Sequence, residues 1–303
     1  MRWAALLSLA ALSAQTLPVP LGLDAFIPAP EQNPITLEGA RLGRQLFFDK
    51  RLSRDGTISC ATCHDPAYAF ADARPVAIGI QGQRGTRRTP RLANRAYGRS
   101  FFWDGRAPTL EDQVAGPIEN PLEMNLPLAD AARRTGLTGL ALRRALATYV
   151  RTILSGDSPY DRYLAGQRDA LTAAARAGLQ LFRGKAGCFT CHLGTNLTDE
   201  RFHNTGLAAQ YPDAGRFTVT ARPADRGAFK TPSLRDVARA APYMHDGSLA
   251  TLDEVIDHYD RGGRRQENLD REIHPLDLTY AEKQDLKAFL ESLTGRLREG
   301  AWK

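Results

Sequence analysis

Cys60-Ala-Thr-Cys63-His64 and Cys188-Phe-Thr-Cys191-His192 contain every cysteine of the chain. Two thiols three residues apart lie on one face of a helical turn, where each can bond a haem vinyl group. The histidine beside the second thiol then sits under the iron as its proximal ligand. Cys-x-x-Cys-His is the spacing of c-type haem attachment. The competing readings are a zinc site and a disulfide framework. A zinc ribbon brings its pairs within roughly 15–20 residues of each other, and Cys63 and Cys188 stand far further apart than that. Two haem c groups, ligated by His64 and His192, are the expectation.

The elements that must hold two such motifs are legible as a duplication. Gly43-Arg-Gln-Leu46-Phe47 precedes the first motif and Gly178-Leu-Gln-Leu181-Phe182 precedes the second. Both read as the end of an amphipathic helix packing Leu-Phe against a haem edge. Helical periodicity runs over 139–154, again from near Thr172, over 251–260 and over 279–294. Between about 66 and 135 the chain is rich in Gly, Pro and Arg, with little periodicity. The expected fold is mainly α, as two cytochrome-c-like domains over 22–165 and 166–303, each with one covalently bound haem c. A chain of 303 residues is long enough for two domains.

Residues 1–14, with Arg2 ahead of the mostly apolar run Ala4 to Leu12, read as a signal peptide. The run is too short for a membrane span. A periplasmic or otherwise exported protein without a membrane span is therefore expected. The formal charge of +6 falls to about +1 to +2 once four haem propionates are added and Arg2 is removed. The basic pairs Arg87-Arg88 and Arg133-Arg134 lack interleaved aromatics, so they read as solvated faces or propionate partners rather than a nucleic-acid surface.

From Leu42 to Thr294 the chain resembles the bacterial dihaem cytochrome c peroxidase and MauG family. The match is carried by Phe101-Phe-Trp103-Asp-Gly-Arg106, Leu110-Glu-Asp-Gln113, Gly116-Pro-Ile-Glu-Asn-Pro-Leu-Glu123-Met124, Lys230-Thr-Pro-Ser-Leu-Arg235, Ala241-Pro-Tyr-Met-His245-Asp-Gly247 and Thr251-Leu-Asp-Glu-Val255. Ser155-Gly-Asp-Ser-Pro-Tyr-Asp161 and Phe202-His-Asn-Thr-Gly206 look like its MauG-like and methanobactin-associated branch. The resemblance implies that hydrogen peroxide reacts at the N-terminal haem, with Glu123 as the distal acid–base and Gln113 as its companion. It also implies that the C-terminal haem handles electrons and that Trp103 relays them between the two.

Two departures from the peroxidase pattern sharpen the expectation. The position of the histidine that caps the resting N-terminal iron holds Ile80, which cannot bind a metal. The position of the second haem's methionine aligns with Tyr259, with His258 as the neighbouring competitor. Adjacent helical residues point about 100° apart, so only one of the pair can face the iron. An open first iron with a phenolate on the second is the MauG-like pattern, in which residues of a protein partner are oxidised. The alternatives are a peroxide-detoxifying cytochrome c peroxidase fed by a small cytochrome or cupredoxin, and a non-enzymatic electron carrier. The family's interdomain calcium would draw carbonyls from Ala240 and Pro242, but its asparagine position holds Arg88, whose guanidinium accepts nothing from a cation. His245 reads as structural at the seam, and His203 and His274 have no assigned chemistry.

Overall fold

The computed structural model describes residues 17–300; the signal-peptide segment lies outside them. The helices are α1 (Leu37–Phe47), α2 (Cys60–Cys63), α3 (Leu110–Gln113), α4 (Ala115–Glu119), α5 (Leu128–Thr135), α6 (Gly139–Arg151), α7 (Pro159–Leu164), α8 (Ala173–Arg183), α9 (Phe217–Thr220), α10 (Leu252–Asp260) and α11 (Tyr280–Glu291). Four short strands make two antiparallel pairs. In one, β1 (Leu154–Gly156) lies against β4 (Arg296–Arg298); in the other, β2 (Phe202–His203) lies against β3 (Phe229–Lys230). Among the described residues, no helix is long and apolar enough to cross a membrane.

Each half is organised by one crossed helix pair. The hydroxyl of Thr36 accepts from Gly39 N at 3.0 Å and starts α1, whose Ala40, Gly43, Leu46 and Phe47 form one buried face. Helix α6 starts on Thr138 and buries Leu142, Ala145, Leu146, Tyr149 and Val150. The second half repeats the device. Thr172 caps α8, which buries Ala175, Gly178, Leu179 and Phe182, and a Thr279–Glu282 capping box starts α11, which buries Leu286, Phe289 and Leu290.

The duplicated glycines are where the helices cross. A methyl group at Gly43 would fall on the Ala145 carbonyl of α6, and one at Gly178 on the Asp285 carbonyl of α11. Only glycine permits so close a backbone approach. The two apolar cores are separate, one around Phe47, Phe70, Leu142 and Tyr149, the other around Phe182, Ile256, Leu286 and Phe289.

The first departure from the sequence periodicity is local. Helix α6 ends at Arg151, and Leu154 begins β1 instead of extending the helix to 154. The cause is long-range: Leu154, Ser155 and Gly156 pair with Arg298, Leu297 and Arg296 near the far end of the chain. Leu297 packs against the first core, so the last strand laces the second half to the first.

Candidate functional site

In the first motif the Ser59 N–H donates to Thr62 Oγ1 at 3.0 Å, which starts the single turn of α2. His64 N then donates to Cys60 O at 2.9 Å, fixing histidine and thiol relative to each other. His64 Nδ1 lies 3.2 Å from the Phe70 carbonyl. A carbonyl only accepts, so Nδ1 carries the proton and Nε2 keeps its lone pair for a metal.

The second motif repeats this. His192 N donates to Cys188 O at 2.9 Å, and Nδ1 donates to Leu197 O at 3.1 Å. Burial lowers both imidazole pKa values to about 4, so both rings are neutral. None of the four cysteines is paired in a disulfide. Two thiols and one pre-oriented neutral imidazole per motif are the donor set a haem c requires, and they fit it in both halves.

A cavity of about 670 Å³ opens beside the first motif, lined by Cys60, Cys63, His64, Gln113, Glu123 and Trp103 among others. Structure thus brings together residues from α2, the end of α3, the loop after α4 and the segment before α3. Burial raises the Glu123 carboxyl pKa, against the opposing pull of a 2.6 Å hydrogen bond from Asn120 Nδ2 and the charge of Arg106. Asn120 Oδ1 in turn accepts from Leu122 N at 3.0 Å, so one asparagine both shapes the turn and holds the carboxylate. Ile80 is buried, and its N–H donates to Glu123 O at 2.9 Å. A side chain at the preceding Gly79 would collide with Leu122 O. The Ile80 segment is thereby clamped on the Glu123 loop, and Ile80 offers no ligand atom.

Trp103 sits where the halves meet. Its indole Nε1 donates to Arg88 O at 2.8 Å, and its own carbonyl accepts from Lys230 N at 2.8 Å. Arg88 is buried, and its Nη2 donates to the carbonyls of Ala240 at 2.7 Å, Ala241 at 3.2 Å and Asp72 at 3.2 Å. The guanidinium therefore meets Ala241 rather than Pro242 beside Ala240. Arg87 bridges Asp104 and Asp213 at 2.6 Å each. Of the two expectations for this basic pair, solvated face or propionate partner, the first fails: both side chains are held by protein acceptors at the interdomain seam, and both line the cavity beside the first motif. His245 stacks on Phe229 at 3.5 Å, and its carbonyl accepts from Arg88 N.

In the second half, α10 separates the two candidate ligands. His258 is buried, with Nε2 3.0 Å from the Thr205 carbonyl. Tyr259 is half-buried with its hydroxyl enclosed on the side of the second motif; burial pushes its phenol pKa up, against the opposing pull of a hydrogen bond with the Thr205 side chain. The two rings are T-shaped at 5.2 Å, so they face different surroundings. His203 is clamped between Asp270 at 2.6 Å and Asp199 at 2.9 Å, a role the sequence did not reveal, and His274 is exposed. Asn120 is the other residue that sequence reasoning missed. Its position three residues before Glu123, in an Asn-Pro turn, was the available signal.

Comparison with known proteins agrees with this geometry. Residues 37–138 match the family described as di-haem cytochrome c peroxidase. The chain is 43% identical to the methylamine utilization protein MauG of Methylorubrum extorquens, across 88% of this chain and 81% of that one. It is 35% identical to the cytochrome c551 peroxidase of Pseudomonas aeruginosa, across 89% of this chain and 84% of that one. A crystal structure of a MauG-like protein associated with microbial copper homeostasis superposes with a TM-score of 0.83 at 36% identity, covering 90% of this chain and 95% of the other. The chain belongs to the dihaem cytochrome c peroxidase and MauG family, whose members are haem c oxidoreductases of peroxidase type.

Proposed function

We propose that this protein is a MauG-like dihaem c enzyme that reduces hydrogen peroxide beside His64 and delivers the oxidising equivalents, through Trp103 and the second haem, to a protein partner. Each bound haem, attached through its cysteine pair, supplies an iron that exchanges electrons. The chain's own residues do the rest. Glu123 takes the proton from the near oxygen of peroxide and returns it to the far one as the O–O bond breaks, while Gln113 orients the peroxide by hydrogen bonding. Burial raises the pKa of this carboxyl, which makes it readier to accept the proton and hold it until the far oxygen takes it. Trp103 supports electron passage, since its oxidisable indole stands between the halves and is held at both ends.

The observation that carries the MauG-like reading is the contrast on α10, where His258 Nε2 is engaged by the Thr205 backbone carbonyl while the Tyr259 hydroxyl is buried on the side of the second motif, beside the Thr205 side chain. A phenolate is a hard anionic donor that stabilises oxidised iron, whereas the methionine it replaces favours the reduced metal. Electron paramagnetic resonance of the resting holoenzyme should therefore show one high-spin and one low-spin haem. Two low-spin signals would overturn the reading.

A second reading, a peroxidase that detoxifies peroxide with electrons from a small cytochrome or cupredoxin, is favoured by the 35% identity to cytochrome c551 peroxidase. Steady turnover of peroxide with reduced cytochrome c, as fast as with any protein substrate, would select it. Export to the periplasm belongs to both readings. In place of calcium, the Arg88 guanidinium supplies the positive charge at the Ala240 and Ala241 carbonyls.

A further inference from the structure

The first core holds a phenol that this peroxide chemistry leaves unused. Tyr149 on α6 is 0% exposed, with its ring 5.1 Å from Phe47. Phe47 in turn lies 6.5 Å from the His64 ring. The Tyr149 hydroxyl donates to Glu299 Oε2, and the other carboxylate oxygen accepts from Arg44 Nη2 at 3.2 Å. The Glu299 side chain is 28% exposed, so the carboxylate joins the core to water.

The duplication gives this residue an internal control. Gly43 faces Tyr149 Cβ at the first helix crossing, and Gly178 faces Phe289 Cβ at the second. Phe182 and Phe289 lie 4.9 Å apart with their rings tilted by 56°, and neither carries a hydroxyl. An apolar ring therefore satisfies the packing at this position. A buried hydroxyl adds a desolvation cost unless something accepts its proton, and here β4 arrives from the other end of the chain with a carboxylate. Packing alone explains the ring but not this arrangement.

We propose that Tyr149 is an oxidisable exit for an oxidising equivalent from the His64 haem, with Glu299 as the base that takes its proton. The inference rests on the peroxidase reading above. Tyr149 gives one electron to the peroxide-oxidised haem, which is thereby reduced by one equivalent. The phenol O–H bond breaks, its proton passes to the Glu299 carboxylate, and a neutral phenoxyl radical and a carboxylic acid remain. The acid then releases its proton to water. Burial, together with the Glu299 hydrogen bond and charge, keeps the phenol protonated at rest, so electron loss needs a base in contact. Glu299 is that base.

The test is one equivalent of hydrogen peroxide added to the holoenzyme without donor, freeze-quenched for electron paramagnetic resonance. An organic radical whose hyperfine pattern narrows with ring-deuterated tyrosine is expected, and it should vanish in Tyr149→Phe while the haem is still oxidised. Tyr149→Phe should keep the parent melting temperature, because Phe289 already fills the equivalent site. Glu299→Gln retains an acceptor but no base, and should slow radical formation by roughly 10²-fold. An oxidised haem with the same radical in Tyr149→Phe, with a radical insensitive to tyrosine deuteration, or with no radical at all overturns this proposal alone. A haem that peroxide fails to oxidise in the parent overturns the peroxidase reading and this inference together.

Discussion

The two halves share a helix crossing on glycine, a Cys-x-x-Cys-His turn and a histidine held by a backbone carbonyl, yet they differ in what faces the haem. Around His64 the cavity presents Glu123 and Gln113, with Ile80 clamped nearby and offering no ligand. Around His192 the chain brings a phenol, Tyr259, toward Cys188 and Cys191. The difference teaches that the duplicated frame sets where each Cys-x-x-Cys-His turn sits, and that the loops and α10 set which side chains surround it. The core echoes it, with Tyr149 in the first half and Phe289 in the second.

The largest expected effect breaks the asymmetry at the first half. Glu123→Gln should slow the reaction with peroxide by roughly 10²–10⁴-fold, because glutamine is nearly the same size but exchanges no proton. Stopped-flow mixing reads this directly, and an unchanged rate would remove Glu123 from the chemistry.

Next comes the second half. Tyr259→Phe should abolish the low-spin signal of the second haem, whereas His258→Phe should leave it in place. The reverse pattern in optical and magnetic spectra would exchange the roles of the two residues.

The shared frame is tested by Gly43→Ala and Gly178→Ala. Each puts a methyl against a helix backbone carbonyl and should destabilise by about 1–3 kcal/mol, as overpacking does. Thermal unfolding with both haems attached measures it; a loss confined to one variant would show that the two crossings are not equivalent.

A pH series sharpens the role of Glu123. Burial raises its pKa in the folded chain, so the folded state holds this proton where the unfolded chain has released it. The resulting stability is present below the ordinary glutamate pKa and is lost as pH rises through the raised value. The parent's peroxide rate should climb across that window as the base form appears, while the low residual rate of Glu123→Gln stays flat.

The smallest effect is expected at the seam, where chelators should leave activity and melting temperature unchanged because Arg88 already satisfies the Ala240 and Ala241 carbonyls. A chelator-sensitive melting temperature would mean that a cation binds there after all.

Short-range spacing carried most of what could be read without a fold. Cys60, Cys63 and His64 fall within one helical turn, so their joint chemistry follows from covalent geometry. The four long helices follow from apolar periodicity and Thr caps. Glu123, Gln113 and Trp103 became candidates only through the family resemblance, since nothing in their local spacing sets them apart from surface or packing residues; the fold adds that they line one cavity. Helix geometry separates His258 from Tyr259 by about 100°, but only the packed α10 decides which of them turns toward the second motif.

What the sequence determined by itself was the pair of Cys-x-x-Cys-His turns, the histidine each of them presents and the amphipathic helices that frame them. Each depends on residues close along the chain, whose relative positions the backbone restricts before folding. Tertiary structure alone decided that Leu154 leaves the helix to pair with Arg298, that Arg88 fills a ring of carbonyls, and that Glu299 meets Tyr149. Those partners are far apart in sequence and leave no periodic signature. They become neighbours only when the two cores close, because a buried guanidinium or phenol must find its acceptors wherever the packed chain provides them.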